Sequence, residues 1–575
     1  MQGRERLLPA LRWIRLYDRQ TFSSDLIAAL IVTIMLIPQS LAYALLAGLP
    51  PELGLYASIL PLALYSLFGT SSTLSVGPVA IASLMTAVAV GDVAATGEDS
   101  AITAAITLAA LSGAMLMLFG FLRLGFLANF LSHTVVSAFI TASAIIIALS
   151  QLAHLLGIQS SGDNIVELLY SLWQQLPNLH IPTLAIGAAV LCLLLFFRNQ
   201  AVVMLVRLGL SREHARLMSR VAPVLAVIFS ILIVRSFDLE ARGVAVVGAI
   251  PVGLPALAMP KVSMSLIEAL WLPALLISII GYVESVSVGR TLGGKRQERI
   301  DANQELIGLG AANLGSSFSG GFPVTGGFAR SVVNFDAGAV TQAASLMTAA
   351  LIAIVTLFLT PLLYSLPKAT LAATIVIAVL ALVDFSVIGK TWRVSRSDTA
   401  AILVTMLLTL LLGVEAGVTF GILLSIGLHL YRTSKPHIAE VGLIPGSEHF
   451  RNVDRYQVDC HPQILSLRVD ESLFFANAAY LEESIYAAVF KNDEIAHVIL
   501  MCTAINEIDF TALQTLEEIN LRLKQQGITL NLSEVKGPVM DMLNRTDFIE
   551  HLSGQVYLSQ FEAFSDVRAK LGIRQ

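Results

Sequence analysis

Two short segments combine glycine, proline and small residues in a pattern that could hold an anion inside a membrane. They read STLSVGPVAIASL over 72–84 and GGFPVTGGFARSVVN over 320–334. Proline is accepted in the first turn of a helix, where its missing N–H is not needed. The free N–H groups of that turn lie at the partly positive helix end and attract anions. Short, interrupted helices in matching positions of two halves indicate a transporter's binding site.

We expect backbone N–H groups after Pro78 and Pro323 to act as anion donors from two half-helices that face each other. Glycine there would allow close approach of the ligand. The alternative is that both segments are packing kinks without a ligand. The candidate donor residues are Val79, Ala80, Gly326, Gly327 and Phe328.

Two ionisable residues fall within apolar segments, where charge is costly and therefore indicates function. Arg330 lies in the second half-helix and would add positive potential to the site. Glu284 lies in the apolar run WLPALLISIIGYVESVSVG. We hypothesise that Glu284 carries a coupling proton, and the alternative is a structural ion pair between Glu284 and Arg330.

The two halves share one sequence offset, which suggests an internal duplication. Pro78 and Pro323 are 245 residues apart, and the same offset relates Gln39 to Glu284. We predict a repeat of seven plus seven membrane spans.

The composition divides the chain into a membrane part and a soluble part. Of its 575 residues, 55% are hydrophobic and 13% are charged, about half the usual charged fraction. We predict a cytoplasmic N-terminal segment at 1–24, a transmembrane transport domain at 25–435 and a cytoplasmic domain at 438–575. The net charge of −5 and the lack of a basic stripe argue against nucleic-acid binding.

Clusters of lysine and arginine mark the loops that we predict to be cytoplasmic. The segment 154–180 has no such residue and is predicted to be external. Fourteen crossings place every cluster on the inner side, with both termini cytoplasmic. The clustered residues are Arg4, Arg6, Arg12, Arg15, Arg19, Arg198, Arg207, Arg212, Arg216, Arg220, Arg290, Lys295, Arg296, Arg299, Lys390, Arg393, Arg396, Arg432 and Lys435.

The C-terminal part alternates short β-runs with amphipathic helices, which predicts an α/β domain. ILSLRV, HVILMC and ITLNLSEV read as strands, and TALQTLEEINLRLKQQG reads as a helix closed by Gly527. The run INEIDFTALQTL resembles the STAS domain signature. There we interpret Thr511 as a helix N-cap, and we expect the domain to bind a cytoplasmic partner or support dimer contacts.

Four motifs, in order along the chain, resemble those of one transporter family. On these motifs the chain is identified as a member of the SulP anion transporters, relatives of prestin and pendrin. The resemblance implies fourteen spans in two inverted repeats, divided into core and gate domains. It also implies a C-terminal STAS domain, a homodimer and elevator-type movement of the core. The motifs are PQSLAYALLAGLPPELGLYAS (38–58), FLSHTVVSAF (130–139), DANQELIGLG (301–310) and GGFPVTGGFARSVVN (320–334).

The resemblance also implies roles for site residues. Gln39 and Tyr43 would contact the anion from the first span, and Arg330 would be the positive centre. Glu284 stands where proton-coupled sulfate members carry an acid. Members that bind sodium there have a threonine one turn later, and Val288 lacks that oxygen.

The substrate that we expect is sulfate, taken up with a proton across the plasma (inner) membrane. One departure is that plant-like sulfate members resemble TGSFSRS where this chain reads TGGFARS. Bicarbonate, a dicarboxylate or a halide therefore remains open, as does an anion exchanger. A passive anion channel is an alternative of another class. Neither a metal nor a cofactor is expected, and no catalytic triad, metal cluster or phosphate loop points to an enzyme.

Overall fold

The computed structural model describes residues 8–572 except 16, 97–98, 130–132, 161, 163, 208, 210–221 and 262. The start of the predicted segment 1–24 lies outside these residues, as do the predicted cytoplasmic Arg212, Arg216 and Arg220. The chain forms two compact units, 1–425 and 426–575. The boundary predicted at 435–438 stays a prediction.

The first half of the larger unit is a series of apolar helices joined by short turns. Helix α9 continues through a π-helical turn, Phe197–Ala201, into α10. The elements are α1 (Ala10–Arg15), α2 (Arg19–Leu46), α3 (Glu52–Tyr56), α4 (Leu60–Phe68), β1 (Val76–Gly77), α5 (Ala80–Thr96), α6 (Ala101–Phe121), α7 (His133–Leu156), α8 (Ile165–Gln175), α9 (Ile181–Phe196), α10 (Val202–Arg207) and α11 (Ala222–Ser236).

The second half of this unit follows the same pattern, with a two-residue strand ahead of a short helix. Its elements are α12 (Met264–Arg296), α13 (Ala302–Phe318), β2 (Thr325–Gly326), α14 (Phe328–Asp336), α15 (Ala343–Phe358), α16 (Lys368–Leu380), α17 (Ser386–Val394), α18 (Arg396–Leu412) and the first part of α19 (Val414–Ser434), whose residues from 426 onward belong to the smaller unit.

By length and apolar composition, four helices of the described chain are each able to cross a bilayer alone. They are α2, α6, Thr134–Leu156 of α7, and α12. Others are apolar but shorter, among them α5, α9, α11, α15 and α16. The number of fourteen crossings remains a prediction.

Polar residues begin several of these helices by capping free N–H groups. Ser100 Oγ accepts the N–H of Thr103 at the start of α6, at 3.2 Å. Asp301 Oδ1 accepts the N–H groups of Asn303 and Gln304 at the start of α13, at 3.0 and 3.2 Å. These caps satisfy donors that helix geometry leaves unpaired.

The two half-helices α5 and α14 start from one common point. Strands β1 and β2 pair antiparallel, with Val76 opposite Gly326 and Gly77 opposite Thr325. The pairing brings together the two segments that the sequence singled out. It also directs the helices that follow them away from each other.

The far ends of the half-helices lie at opposite ends of α12. Beyond α5, Asp99 Oδ1 accepts from Lys261 Nζ at 2.6 Å, just ahead of α12. Near the end of α14, the Phe335 ring lies 4.7 Å from the guanidinium of Arg296, the last residue of α12. Helix α12 has 33 residues and is therefore about 50 Å long. The half-helices thus run in opposite directions, as an inverted repeat requires.

The smaller unit is an α/β domain built on a six-stranded sheet of order β4-β3-β5-β6-β7-β8. Strands β5 to β8 are parallel, whereas β3 pairs antiparallel with β4 and β5. The three predicted strands are confirmed. The elements are β3 (Ile438–Leu443), β4 (Phe450–Asn452), β5 (Ile464–Val469), α20 (Ala478–Val489), β6 (His497–Met501), α21 (Phe510–Gln525), β7 (Thr529–Ser533), α22 (Gly537–Leu543), α23 (Phe548–His551), β8 (Val556–Tyr557) and α24 (Gln560–Lys570).

The cap of α21 differs from the prediction. Asp509, not Thr511, is the N-cap, and its Oδ1 accepts the N–H of Ala512 at 2.8 Å. A carboxylate is at least as good a cap as a hydroxyl, so the helix starts two residues earlier than expected. Gly527 follows the end of this helix with φ of +78°, which confirms its predicted role.

A buried carboxylate fixes the chain that leads into β1. Glu305 on α13 is fully buried and accepts four hydrogen bonds. Its Oε2 accepts from Tyr65 Oη at 2.6 Å. Its Oε1 accepts from Thr70 N and Oγ1 at 2.7 and 2.5 Å, and from Ser71 N at 3.2 Å. The carboxylate therefore holds residues 70–71 in place.

We predict that Glu305→Gln destabilises the larger unit. The amide group would place an N–H where donors need an acceptor, at a cost of about 1–3 kcal/mol. A lower melting temperature of the detergent-solubilised protein is the measurement. Glu268→Gln, at an exposed position of α12, is the control and should melt unchanged. An unaltered melting temperature for the Glu305 variant would contradict the prediction.

Candidate anion-binding site

A cavity of about 40 Å³ lies where the two half-helices meet. This volume accommodates about three water molecules. It brings together eight of the nine residues that the sequence predicted, and only Gly326 is absent from its lining. The lining residues are Gln39, Tyr43, Val79, Ala80, Ile81, Glu284, Gly327, Phe328, Ala329, Arg330, Ala378, Val379 and Leu382.

The first turns of α5 and α14 present N–H groups to this cavity. Helix α5 begins at Ala80 and α14 at Phe328. The N–H groups of the first turn of a helix have no acceptor within the helix. Both helix ends carry partial positive charge, so the cavity is suited to an anion.

Two of the predicted donors have another role. The N–H of Gly326 donates to Ser285 Oγ at 2.9 Å, and the N–H of Gly327 donates to the carbonyl of Ser75 at 3.1 Å. Both groups support the junction of β1 and β2 and are not free for a ligand. The prediction is wrong for these N–H groups, because the extended segment continues past Pro323 and α14 begins only at Phe328.

Glycine has a different function here, which is to make room for the Arg330 side chain. A Cβ atom on Gly77 would lie 2.8 Å from Arg330 Nη1, and one on Gly327 would lie 2.9 Å from Nε. The Gly327 Cβ would also lie 3.2 Å from Val79 Cγ1. The guanidinium therefore occupies space between the two half-helices that a side chain at position 77 or 327 would otherwise fill.

Arg330 and Glu284 are both unpaired in the described structure. Arg330 is 2% exposed, and neither its Nη1 nor its Nη2 has a hydrogen-bond partner. The Oε2 atom of Glu284 is likewise buried without a partner. The structural ion pair considered as an alternative is not formed. A buried charge without a partner is strongly unfavourable, and both residues line the same cavity.

Hydroxyl groups tie the helix that carries Glu284 to the half-helix junction. Thr325 Oγ1 donates to the carbonyl of Gly281 at 2.6 Å and lies 2.8 Å from Ser285 Oγ. Ser285 is the residue after Glu284 and accepts the N–H of Gly326. The acid therefore has a fixed position relative to both half-helices.

The first span supplies two polar residues to the cavity lining. Gln39 and Tyr43 are one turn apart on α2 and both line the cavity. The hydroxyphenyl group of Tyr43 is buried, and Gln39 is partly buried. Phe328, which also lines the cavity, is 46% exposed.

Five lining residues were not predicted. Ile81 and Ala329 follow predicted residues in the same helical turns, and the extent of a first turn could have identified them. Ala378, Val379 and Leu382, on and just after α16, are apolar residues in an apolar segment. No sequence signal distinguishes these three from other lipid-facing or core residues.

Comparison with known proteins places the chain in one family. Residues 22–405 match the model of the sulfate permease family, and residues 455–563 match that of the STAS domain. The chain is 34% identical over 557 residues to a protein named sulfate transporter 4.1, chloroplastic, of Arabidopsis thaliana. That alignment covers 95% of this chain and 80% of the relative.

A bacterial relative and a solved structure agree with this match. A probable sulfate transporter of Mycobacterium tuberculosis is 33% identical over 546 residues, covering 95% of each chain. The fold is similar to that of the murine Slc26a9 anion transporter, with a TM-score of 0.88 and 23% identity. The similarity covers 98% of this chain and 94% of that one.

These matches confirm the predicted family, the helical membrane architecture and the C-terminal STAS domain. The relatives are transporters rather than enzymes. The chain belongs to the sulfate permease (SulP) family and is a multi-pass membrane transporter of anions.

Proposed function

We propose that the protein takes up sulfate together with a proton. The observation that carries this proposal is the unpaired Arg330 guanidinium at the junction of two helix N-termini, in one cavity with the unpaired Glu284. A ligand with negative charge would give the guanidinium its missing partner. The names of the relatives as sulfate transporters support sulfate as that ligand.

The charge of the site matches a divalent anion when Glu284 is protonated. Arg330 contributes one positive charge, and each half-helix N-terminus contributes about one half. Together they balance the two charges of sulfate only if Glu284 is neutral. An ionised Glu284 would leave one negative charge in excess within a low-dielectric site, where such an excess is costly. Sulfate binding and protonation of Glu284 therefore favour each other.

The same charge balance gives a different result for a monovalent anion. With Glu284 ionised, the site has about one net positive charge and matches bicarbonate or a halide without a proton. Proton coupling is thus tied to the divalent anion. A bicarbonate, dicarboxylate or exchange activity remains the alternative function, and a passive channel would show no coupling at all.

Movement of the site as one body would give alternating access. The β1–β2 pairing and the hydroxyl contacts to α12 hold the half-helices and Glu284 together. The part of the cavity wall formed by Ala378, Val379 and Leu382 is entirely apolar. Among the described residues, these three make no hydrogen bond to α5 or α14, and such an apolar wall suits elevator-type sliding of a core against a gate.

We further propose the cellular arrangement. The protein would be in the plasma (inner) membrane, as a homodimer, with both termini in the cytoplasm as the basic clusters predict. The STAS domain would then be available to cytoplasmic partners. The backbone donors Ala80, Ile81, Phe328 and Ala329 would contact the anion, while Gly77 and Gly327 would position Arg330.

We predict that Glu284→Gln separates sulfate binding from proton coupling. The amide is neutral at every pH, as the protonated acid would be, so sulfate still binds. Uptake into proteoliposomes should lose its response to an imposed proton gradient. Glu268→Gln on the same helix is the control and should keep that response. An unchanged gradient response in the Glu284 variant would exclude this residue as the proton carrier.

We predict that Arg330→Ala lowers sulfate affinity by roughly tenfold to a hundredfold, because a charge-assisted contact is lost. Gly77→Ala should lower it less, by displacing the guanidinium. Gly91→Ala is the matched control, since a Cβ there meets nothing within 4 Å. Equilibrium binding of radiolabelled sulfate is the measurement. Equal affinities for all variants would place the anion elsewhere.

A further inference from the structure

Helix α17, Ser386–Val394, has an exposed apolar side and an exposed basic side. Phe385, just before it, and Trp392 are 55% and 61% exposed. With Ile388 they recur at spacings of three and four, which places them on one face of the helix. Lys390 and Arg393 are exposed on another face. Nine residues are too few to cross a bilayer.

A third face of α17 fixes the helix to its neighbour. Thr399 Oγ1, in the first turn of α18, donates to Thr391 Oγ1 at 3.2 Å. At the other end, Asp384 Oδ1 accepts the N–H of Ser386 at 2.8 Å. Asp384 is also the acid beside Lys390. The helix therefore has a set orientation, with the apolar and basic faces both turned outward.

Helix α8 is also short and exposes aromatic residues, but it carries no lysine or arginine. It lies between α7 and α9, and it buries Leu168 and Leu172 while exposing Tyr170 and Trp173. Residues 155–197 contain no lysine or arginine, and the charge distribution predicts that this helix is external. It thus serves as a natural comparison for α17.

We propose that α17, together with Arg396 at the start of α18, binds the headgroups of anionic phospholipids in the inner leaflet. An amphipathic helix with aromatic and basic faces lies in the membrane interface, and clusters of lysine and arginine there attract anionic lipids. Phe385 and Trp392 would enter the acyl-chain boundary. Lys390, Arg393 and Arg396 would face the phosphates.

Lipid binding at α17 would affect the wall of the anion cavity. Helix α17 follows α16 after Leu382, which lines that cavity with Ala378 and Val379. Lipid bound at α17 would hold this wall at a fixed depth in the membrane. The inference goes beyond the proposed function, because it holds for any transported anion.

The test uses the fluorescence of Trp392 in the full-length protein. Trp13, Trp173 and Trp271 are replaced by phenylalanine, and a companion protein retains Trp173 of α8 instead of Trp392. Each is reconstituted in phosphatidylcholine vesicles with the same fraction of either brominated phosphatidylglycerol or brominated phosphatidylcholine. Bromine quenches tryptophan on contact, so the ratio of the two quenching efficiencies reports local enrichment of the anionic lipid.

We expect brominated phosphatidylglycerol to be enriched around Trp392 on the order of fivefold per basic residue, and not around Trp173. Lys390→Gln with Arg393→Gln should lower the preference to that of Arg396 alone, about fivefold. The exposed pair Lys524→Gln with Arg545→Gln, in the smaller unit, is the matched control and should keep it. If both lipids quench Trp392 equally, or if neither quenches it, the proposal is overturned, whatever the charge variants show.

Discussion

The larger unit depends on a two-residue antiparallel ladder in the middle of its membrane domain. Extended backbone in a bilayer must have every polar group paired within the protein. Val76 and Gly77 pair with Gly326 and Thr325. Asn313 completes the pairing by bonding both the N–H and the carbonyl of Val324, each at 2.9 Å. Because these segments satisfy one another, two helices can begin in the interior of the larger unit.

That constraint determines where positive charge accumulates. Once the extended segments have used their own donors, the first donors left over are those of the two helix starts. Arg330 lies at the same place, in space that Gly77 and Gly327 leave open. Charge from three sources thus converges on one small cavity, and the described protein supplies no acceptor for the Arg330 terminal nitrogens.

Much of this arrangement was predictable from residue types. Pro78 and Pro323 identified both broken segments, and apolar surroundings identified Arg330 and Glu284. The roles of Gly326 and Gly327 were not predictable, because glycine is compatible with ligand contact, strand pairing and space for a neighbour alike. Only the pairing register of β1 and β2 shows which of these three roles each glycine has. The second helix start also shifted, since a proline marks an interruption but not its length.

The cavity wall formed by Ala378, Val379 and Leu382 could not be predicted, for another physical reason. Leu382 contacts the cavity by virtue of helix packing, and its sequence surroundings resemble those of many lipid-facing residues. Under the proposed function, selectivity at this site rests mainly on charge rather than on shape. In that function, the backbone donors and the guanidinium would bind several oxyanions of similar size, and the protonation state of Glu284 would set the total charge that the cavity tolerates. In the proposed function, a single carboxyl group links the choice of anion to the driving ion.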